Sequence, residues 1–164
     1  MTPERHFVVE TADAMRDVGA ALGRVARGGD VIVLTGELGA GKTTLAQGIA
    51  AGLGVVDRVT SPTFVISRVH ENPSGGPALV HVDAYRLGSV AEVDDLDLEL
   101  DLQQGVVVVE WGEGLVEDLS ESVVHVLINR SDDADDEQRQ VAVAGADPRW
   151  MEAVLSLAFP EVSP

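Results

Sequence analysis

The chain has no cysteine and, among its 164 residues, only one lysine, Lys42. The missing cysteine removes disulfides, thiolate zinc sites and thiol nucleophiles together. The four histidines, His6, His70, His81 and His125, are scattered without metal-ligand spacing. Long apolar runs are lacking too: none approaches the ~20 residues that span a bilayer. The N-terminal MTPERHFVVETADAM carries early acids where a secretory leader needs an apolar stretch. A cytoplasmic chain with no membrane segment is the expectation. Positive charge is scarce throughout, and the net charge is −17. Such a surface repels phosphate backbones, which argues against autonomous nucleic-acid binding. It repels ATP equally, so a nucleotide site here must build its own local positive field. The acidity fits a basic protein partner as well as it fits simple solubility.

What is present reads as one soluble domain over residues 1–164, with 45% apolar and 24% charged residues and enough length for a core without staples. RHFVV (5–9) starts a strand. From Thr11 to Arg27, Met15, Val18, Leu22 and Val25 recur at helical spacing behind Thr11 as N-cap, and Gly28-Gly29-Asp30 ends the helix. VIVL is an unbroken apolar run, as in a strand covered on both faces. A helix follows from Lys42 to Leu53. TFVISRV and ALVHVD flank the turn-rich NPSGGP as a hairpin. The acidic residues 89–104 read as one or two short helices, GVVVVE as a second fully apolar strand, and GEGLVEDLSES as a loop and short helix. VVHVLINR and RQVAVAG form another hairpin around SDDADDEQ, and PRWMEAVLSLAF a terminal helix. The order predicts an α/β fold, a mixed sheet flanked by helices.

The lone lysine stands in GELGAGKT, residues 36–43, which fits G-x-x-x-x-G-K-[ST] at every position. The glycines let successive N–H groups turn inward with no Cβ in the way of an anion. The helix that begins at Lys42 adds the positive end of its dipole. Lysine is a compact charge on a flexible stem that reaches the β- and γ-phosphates, and the wide arginine fork is no equivalent there. Thr43 offers a hydroxyl to Mg²⁺. The expected nucleotide loop is therefore Glu37, Leu38, Gly39, Ala40, Gly41, Lys42, Thr43 and Thr44.

Such a loop needs an acid at the end of another strand to help position Mg²⁺. ALVHVD ends at Asp83 and VVVVE at Glu110. The second is continuously apolar, as a central parallel strand should be, whereas His81 interrupts the first, as in a strand with one more exposed face. Glu110 is accordingly assigned to the Mg²⁺ shell, through water, and Asp83 to a flanking place near the γ-phosphate, with a strand-end turn cap as the alternative for each.

Together, GELGAGKTT, TSPTF (60–64), HVDAYRL (81–87) and EWGE (110–113) resemble the TsaE family, also called YjeE, ATPases of bacterial tRNA threonylcarbamoyladenosine synthesis. The resemblance implies a compact P-loop NTPase with a mixed, centrally parallel sheet of about seven strands. It implies that TSPTF is a switch-like loop with Thr63 near the γ-phosphate, that Asp83 is catalytic or positions water, and that Arg86 reads phosphate or holds the switch. Glu110 then takes the metal role, and Trp111 packs beside the nucleotide or in the core. The implied activity is binding and hydrolysis of Mg-ATP, stimulated by docking on a TsaB–TsaD complex in which TsaD modifies the adenosine beside the tRNA anticodon. Contact with tRNA would be indirect. No motif anchors the comparison in the last third of the chain.

Two other function classes share the loop. A small-molecule kinase closes an arginine-bearing lid over the transferring phosphate, yet residues 87–129 hold no Lys or Arg against eleven Asp or Glu. Arg58, Arg68 and Arg130 remain available to one. A nucleotide-dependent binding module, in which hydrolysis is incidental, is barely separated from a partner-stimulated ATPase. A guanine-reading GTPase needs the N-K-x-D lysine, which the chain lacks. The acidic EVDDLDLELD, residues 92–101, is either a solvated helix face or a surface for a basic partner.

Overall fold

The computed structural model describes residues 2–37, 39–56, 59, 67–84, 105–111, 114, 116–130, 133 and 136–162. Their strands are β1 (Glu4–Val9), β2 (Val31–Gly36), β3 (Ser67–His70), β4 (Ala78–Asp83), β5 (Gly105–Glu110), β6 (Val123–Arg130) and β7 (Arg139–Gly145). The helices are α1 (Ala12–Val25), α2 (Lys42–Leu53) and α3 (Pro148–Leu155), with one 3₁₀ turn at Glu117–Leu119. The seven strands form one sheet in the order β1-β7-β6-β2-β5-β4-β3. β6, β2, β5 and β4 run parallel at its centre, and β3, β7 and β1 pair antiparallel outside them. This is the mixed sheet that the order of elements predicts, with the parallel centre and about seven strands that the family resemblance implies.

Burial follows position in the sheet. Every residue of β5 is buried, as is all of β2 except Thr35, because both strands sit between parallel neighbours with apolar cover on each face. The larger core joins Ile32, Leu34, Val106 and Val108 of one sheet face to Val18 and Leu22 of α1, Leu45 and Ile49 of α2, and Trp150 of α3. A smaller cluster on the opposite face contains Val31, Val33, Val80, Val82, Val107, Val109 and Val116. None of the described helices is long and apolar enough to cross a membrane.

Helices α1 and α2 meet unusually closely because each carries glycines four residues apart. A Cβ at Gly19 or Gly23 would lie 2.3 Å from the carbonyl oxygen of Leu45 or Ile49, respectively. One at Gly48 or Gly52 would lie 2.2 or 2.3 Å from the carbonyl oxygen of Arg16 or Ala20. Glycine inside a helix costs about 1 kcal/mol relative to alanine, and here it allows backbone to press on backbone. Helix α2, which begins at the phosphate-type loop, is thereby held along its length by α1.

Three readings need correction. Helix α1 stops at Val25, short of Arg27, while Thr11 does cap it, accepting from Ala14 N at 3.0 Å. The terminal helix ends at Leu155. Ala158 then takes φ 54°, and the chain turns back so that Phe159 stacks on Phe7 at 5.8 Å between centroids. An apolar pattern suits a helix or a packed tail equally, and contact with β1 decides for the tail. Finally, His81 does not mark an exposed face: it is fully buried, with β4 enclosed between β5 and β3.

Candidate nucleotide site

The loop between β2 and α2 turns on two glycines with left-handed backbone, Gly39 at φ 79° and Gly41 at φ 115°, a region that side chains disfavour. Gly41 is the N-cap of α2 and offers no side-chain acceptor. The first amides of the helix therefore keep their hydrogen-bonding capacity for an external anion. Lys42 is only 6% exposed. Its Nζ donates to the carbonyl oxygens of Gly36 and Glu37, the latter at 3.2 Å, and lies 4.1 Å from the centre of the Trp111 ring. Burial pulls the ammonium pKa below its ordinary 10.5, while the carboxylates of Glu110 and Asp83 act in the opposite direction.

Those carboxylates belong to adjacent strand ends. Asp83 closes β4, Glu110 closes β5, and the two are register partners, with Leu34 of β2 opposite Glu110 on its other side. Parallel pairing thus delivers two acids from distant sequence to the edge where the loop leaves the sheet. Trp111, next along the chain, has φ 63° while its N–H donates to Leu34 O at 3.0 Å. Left-handed backbone costs a non-glycine residue roughly 1–2 kcal/mol, and such outliers cluster at functional sites. Trp111 is half-buried against Lys42, and the tryptophan of the core is Trp150.

Residues that the sequence reading did not place also converge here. His81 Nε2 lies 2.6 Å from Glu110 Oε2. Its signal was a polar residue inside ALVHVD, read as exposure when it marked a buried partner. Arg139, at the start of β7, donates from Nε to Ala40 O in the loop at 3.2 Å. A Cβ at Gly39 would come within 3.1 Å of Nη1 of Arg130, the register partner of Arg139. No local pattern announced either arginine, since sheet order alone brings them to the loop. Beside the loop a cleft opens between α1 and β7, lined among others by Thr11, Met15, Gly41, Thr44, Glu137 and Arg139.

The donor set suits a magnesium nucleotide. Glycine turns, helix amides and a buried lysine match phosphate oxygens, and the Thr43 hydroxyl and the Glu110 carboxylate are hard oxygen groups of the kind that would suit Mg²⁺. Leu38, Thr63 with the rest of TSPTF, Arg58, Arg86, Gly112-Glu113 and the acidic stretch 92–101 lie outside the described residues.

The family model for the threonylcarbamoyl adenosine biosynthesis protein TsaE matches residues 9–141. The chain belongs to the TsaE family. The matched span takes in the loop, both strand-end acids and Arg139. The tRNA threonylcarbamoyladenosine biosynthesis protein TsaE of Streptomyces coelicolor is 53% identical over 145 residues, covering 87% of this chain and 98% of that protein. The protein of the same name from Mycobacterium tuberculosis is 50% identical over 125 residues, 72% of this chain and 74% of the relative. That of Bacillus subtilis is 39% identical over 125 residues, 76% and 75% of the two chains. Among solved structures, the crystal structure of YdiB from Bacillus subtilis superposes with a TM-score of 0.71 at 26% identity, covering 96% of each chain.

Proposed function

We propose that the chain binds Mg-ATP at the β2–α2 loop and hydrolyses it when docked on a TsaB–TsaD complex, in support of threonylcarbamoyl modification of the adenosine beside the tRNA anticodon. The observation that carries this reading is the convergence on one edge of the sheet of the loop that bears Lys42 and of two strand ends whose acids, Asp83 and Glu110, lie within electrostatic reach of it. Membership of a family described by threonylcarbamoyl adenosine biosynthesis supplies the pathway. Lys42 holds the β- and γ-phosphates, with the loop amides from Gly39 to Thr44 around them. Thr43 and Glu110 hold Mg²⁺, which when bound neutralises phosphate charge and lowers the cost of its build-up. Asp83 orients the attacking water, and Trp111 covers the lysine side of the site. Turnover is slow in the free chain, because Asp83 and the TSPTF loop with Thr63 reach working order only on docking. The −17 net charge fits a division of labour in the cytoplasm in which the partners hold the tRNA.

The test is Mg-ATP turnover of the chain alone and with TsaB–TsaD, using Lys42→Ala as the blank. Turnover that requires both Lys42 and the complex is expected. ATP binding without hydrolysis in the complex would make the chain a nucleotide-dependent binding module. Indifference to the complex, with phosphate appearing on a small metabolite, would make it a kinase.

A further inference from the structure

His81 has no part in the phosphate chemistry above, yet it is completely buried and its one hydrogen-bond partner among the described residues is a strand-end acid of the site. Glu110 is itself 5% exposed. A carboxylate only accepts, so the imidazole donates, from Nε2–H to Glu110 Oε2 at 2.6 Å. His81 Nδ1 is buried with no hydrogen-bond partner among the described residues. Nε2 is therefore the ring nitrogen whose proton is aimed at Glu110.

Strand register explains the approach. Asp83 stands opposite Glu110, and His81 stands two residues earlier on the same face of β4, opposite Val108. Val108 belongs to the main core. The imidazole thus reaches Glu110 from the core side and engages one carboxylate oxygen, Oε2. We propose that His81 is a positioning residue whose Nε2–H fixes the Glu110 carboxylate in the orientation that serves Mg²⁺ beside the nucleotide. The inference rests on the reading of Glu110 as the metal's acidic partner. Groups that orient a metal-binding carboxylate in this way change metal affinity without touching the ion.

The experiment is calorimetric titration of the full chain with ADP, in excess Mg²⁺ and in EDTA, so that the gain in affinity from Mg²⁺ is read apart from nucleotide binding. His81→Leu is expected to lose about tenfold or more of that gain while its affinity in EDTA stays native. His81→Gln, whose amide N–H can take the place of Nε2–H, restores it. If His81→Leu does not fold, His81→Asn, too short to reach Glu110, carries the same expectation. A native Mg²⁺ gain in the variant lacking the bond would overturn the proposal. So would equal losses with and without Mg²⁺, which indicate a purely structural histidine, or failure of folded His81→Gln to restore the gain. Glu110→Gln separates the two levels. If it keeps the full Mg²⁺ gain, the metal role of Glu110 fails and His81 falls with it. If it loses the gain and His81→Leu does not, only the role of His81 fails.

Discussion

The two ends of β2 each hold a cation largely withdrawn from solvent, Arg149 with 11% of its side chain exposed and Lys42 with 6% exposure, and the partners given to them differ in kind. Before the strand, Arg149 of α3 grips Asp30 with both Nη atoms at 2.6 Å, and donates to Asp147 at 3.0 Å, Val25 O at 2.7 Å and Ser122 Oγ at 2.9 Å. It lies 4.4 Å over Trp150. Asp30 is saturated in turn by Ser122 and the Arg27 amide, each at 2.6 Å. Hydrogen bonding to Asp30 raises the Arg149 pKa despite the opposing effect of burial. After the strand, Lys42 bonds only neutral carbonyls and, among the described residues, has no carboxylate within ion-pair distance. Burial there prevails and lowers its pKa. A cation with all its partners built in is a clasp of the fold. One left with weak, exchangeable partners has its charge in reserve for an incoming anion.

Exchanging or removing the two cations should separate binding from stability. Lys42→Ala carries the largest effect: nucleotide affinity falls at least about 100-fold, the loss of roughly two charge-assisted hydrogen bonds. Its thermal midpoint should stay close to native, because the removed charge was held against the cost of burial. Calorimetric titration beside a melting curve measures both, and native affinity would mean that Lys42 is no phosphate anchor. Arg149→Leu is expected to do the reverse. It strands Asp30, 3% exposed, without its partner, and stability in urea should fall by about 3–5 kcal/mol. Nucleotide affinity of the folded fraction should not change. A loss below about 1 kcal/mol, as for a surface pair, would dissolve the contrast between the two ends.

The smallest effect belongs to Asp147, at the rim of the clasp, where it caps α3 through Arg149 N at 3.1 Å. That backbone bond first, and the Arg149 side chain second, hold its pKa below the ordinary 3.8. Above 3.8 the carboxylate is ionised in both folded and unfolded chains, and its contribution is fully present. As pH falls below 3.8 the unfolded chain takes up the proton first, so stability declines until the folded-state pKa is passed. Asp147→Asn should flatten this part of the acid limb, read as urea midpoints between about pH 5 and about pH 2. An unaltered slope would assign the acid sensitivity to other carboxylates.

Much of the candidate site was legible because its parts are contiguous. The loop from Gly36 to Thr43 is one local motif, and Asp83 and Glu110 end apolar runs whose length and composition mark them as strands. Trp111 was visible as a residue but not as a left-handed turn over Lys42, since φ depends on how β5 leaves the sheet. The α1–α2 contact was missed because Gly19, Gly23, Gly48 and Gly52 look like weak helix residues until two helices are laid together. His81 was misread for a related reason: alternation reports that a side chain is polar, and only its neighbours determine whether it is solvated or paired.

The sequence by itself determined the order of strands and helices, the phosphate-type loop, the cap at Thr11, and the two acids at strand ends. These follow from backbone propensity, glycine geometry and burial patterns that act over a few residues. The tertiary structure alone decided which distant groups meet. His81 and Glu110 are 29 residues apart, Arg139 and Ala40 are 99 apart, and Arg149 and Asp30 are 119 apart. Contacts at such separations depend on strand order and register, which the whole buried core selects at once and no short segment encodes.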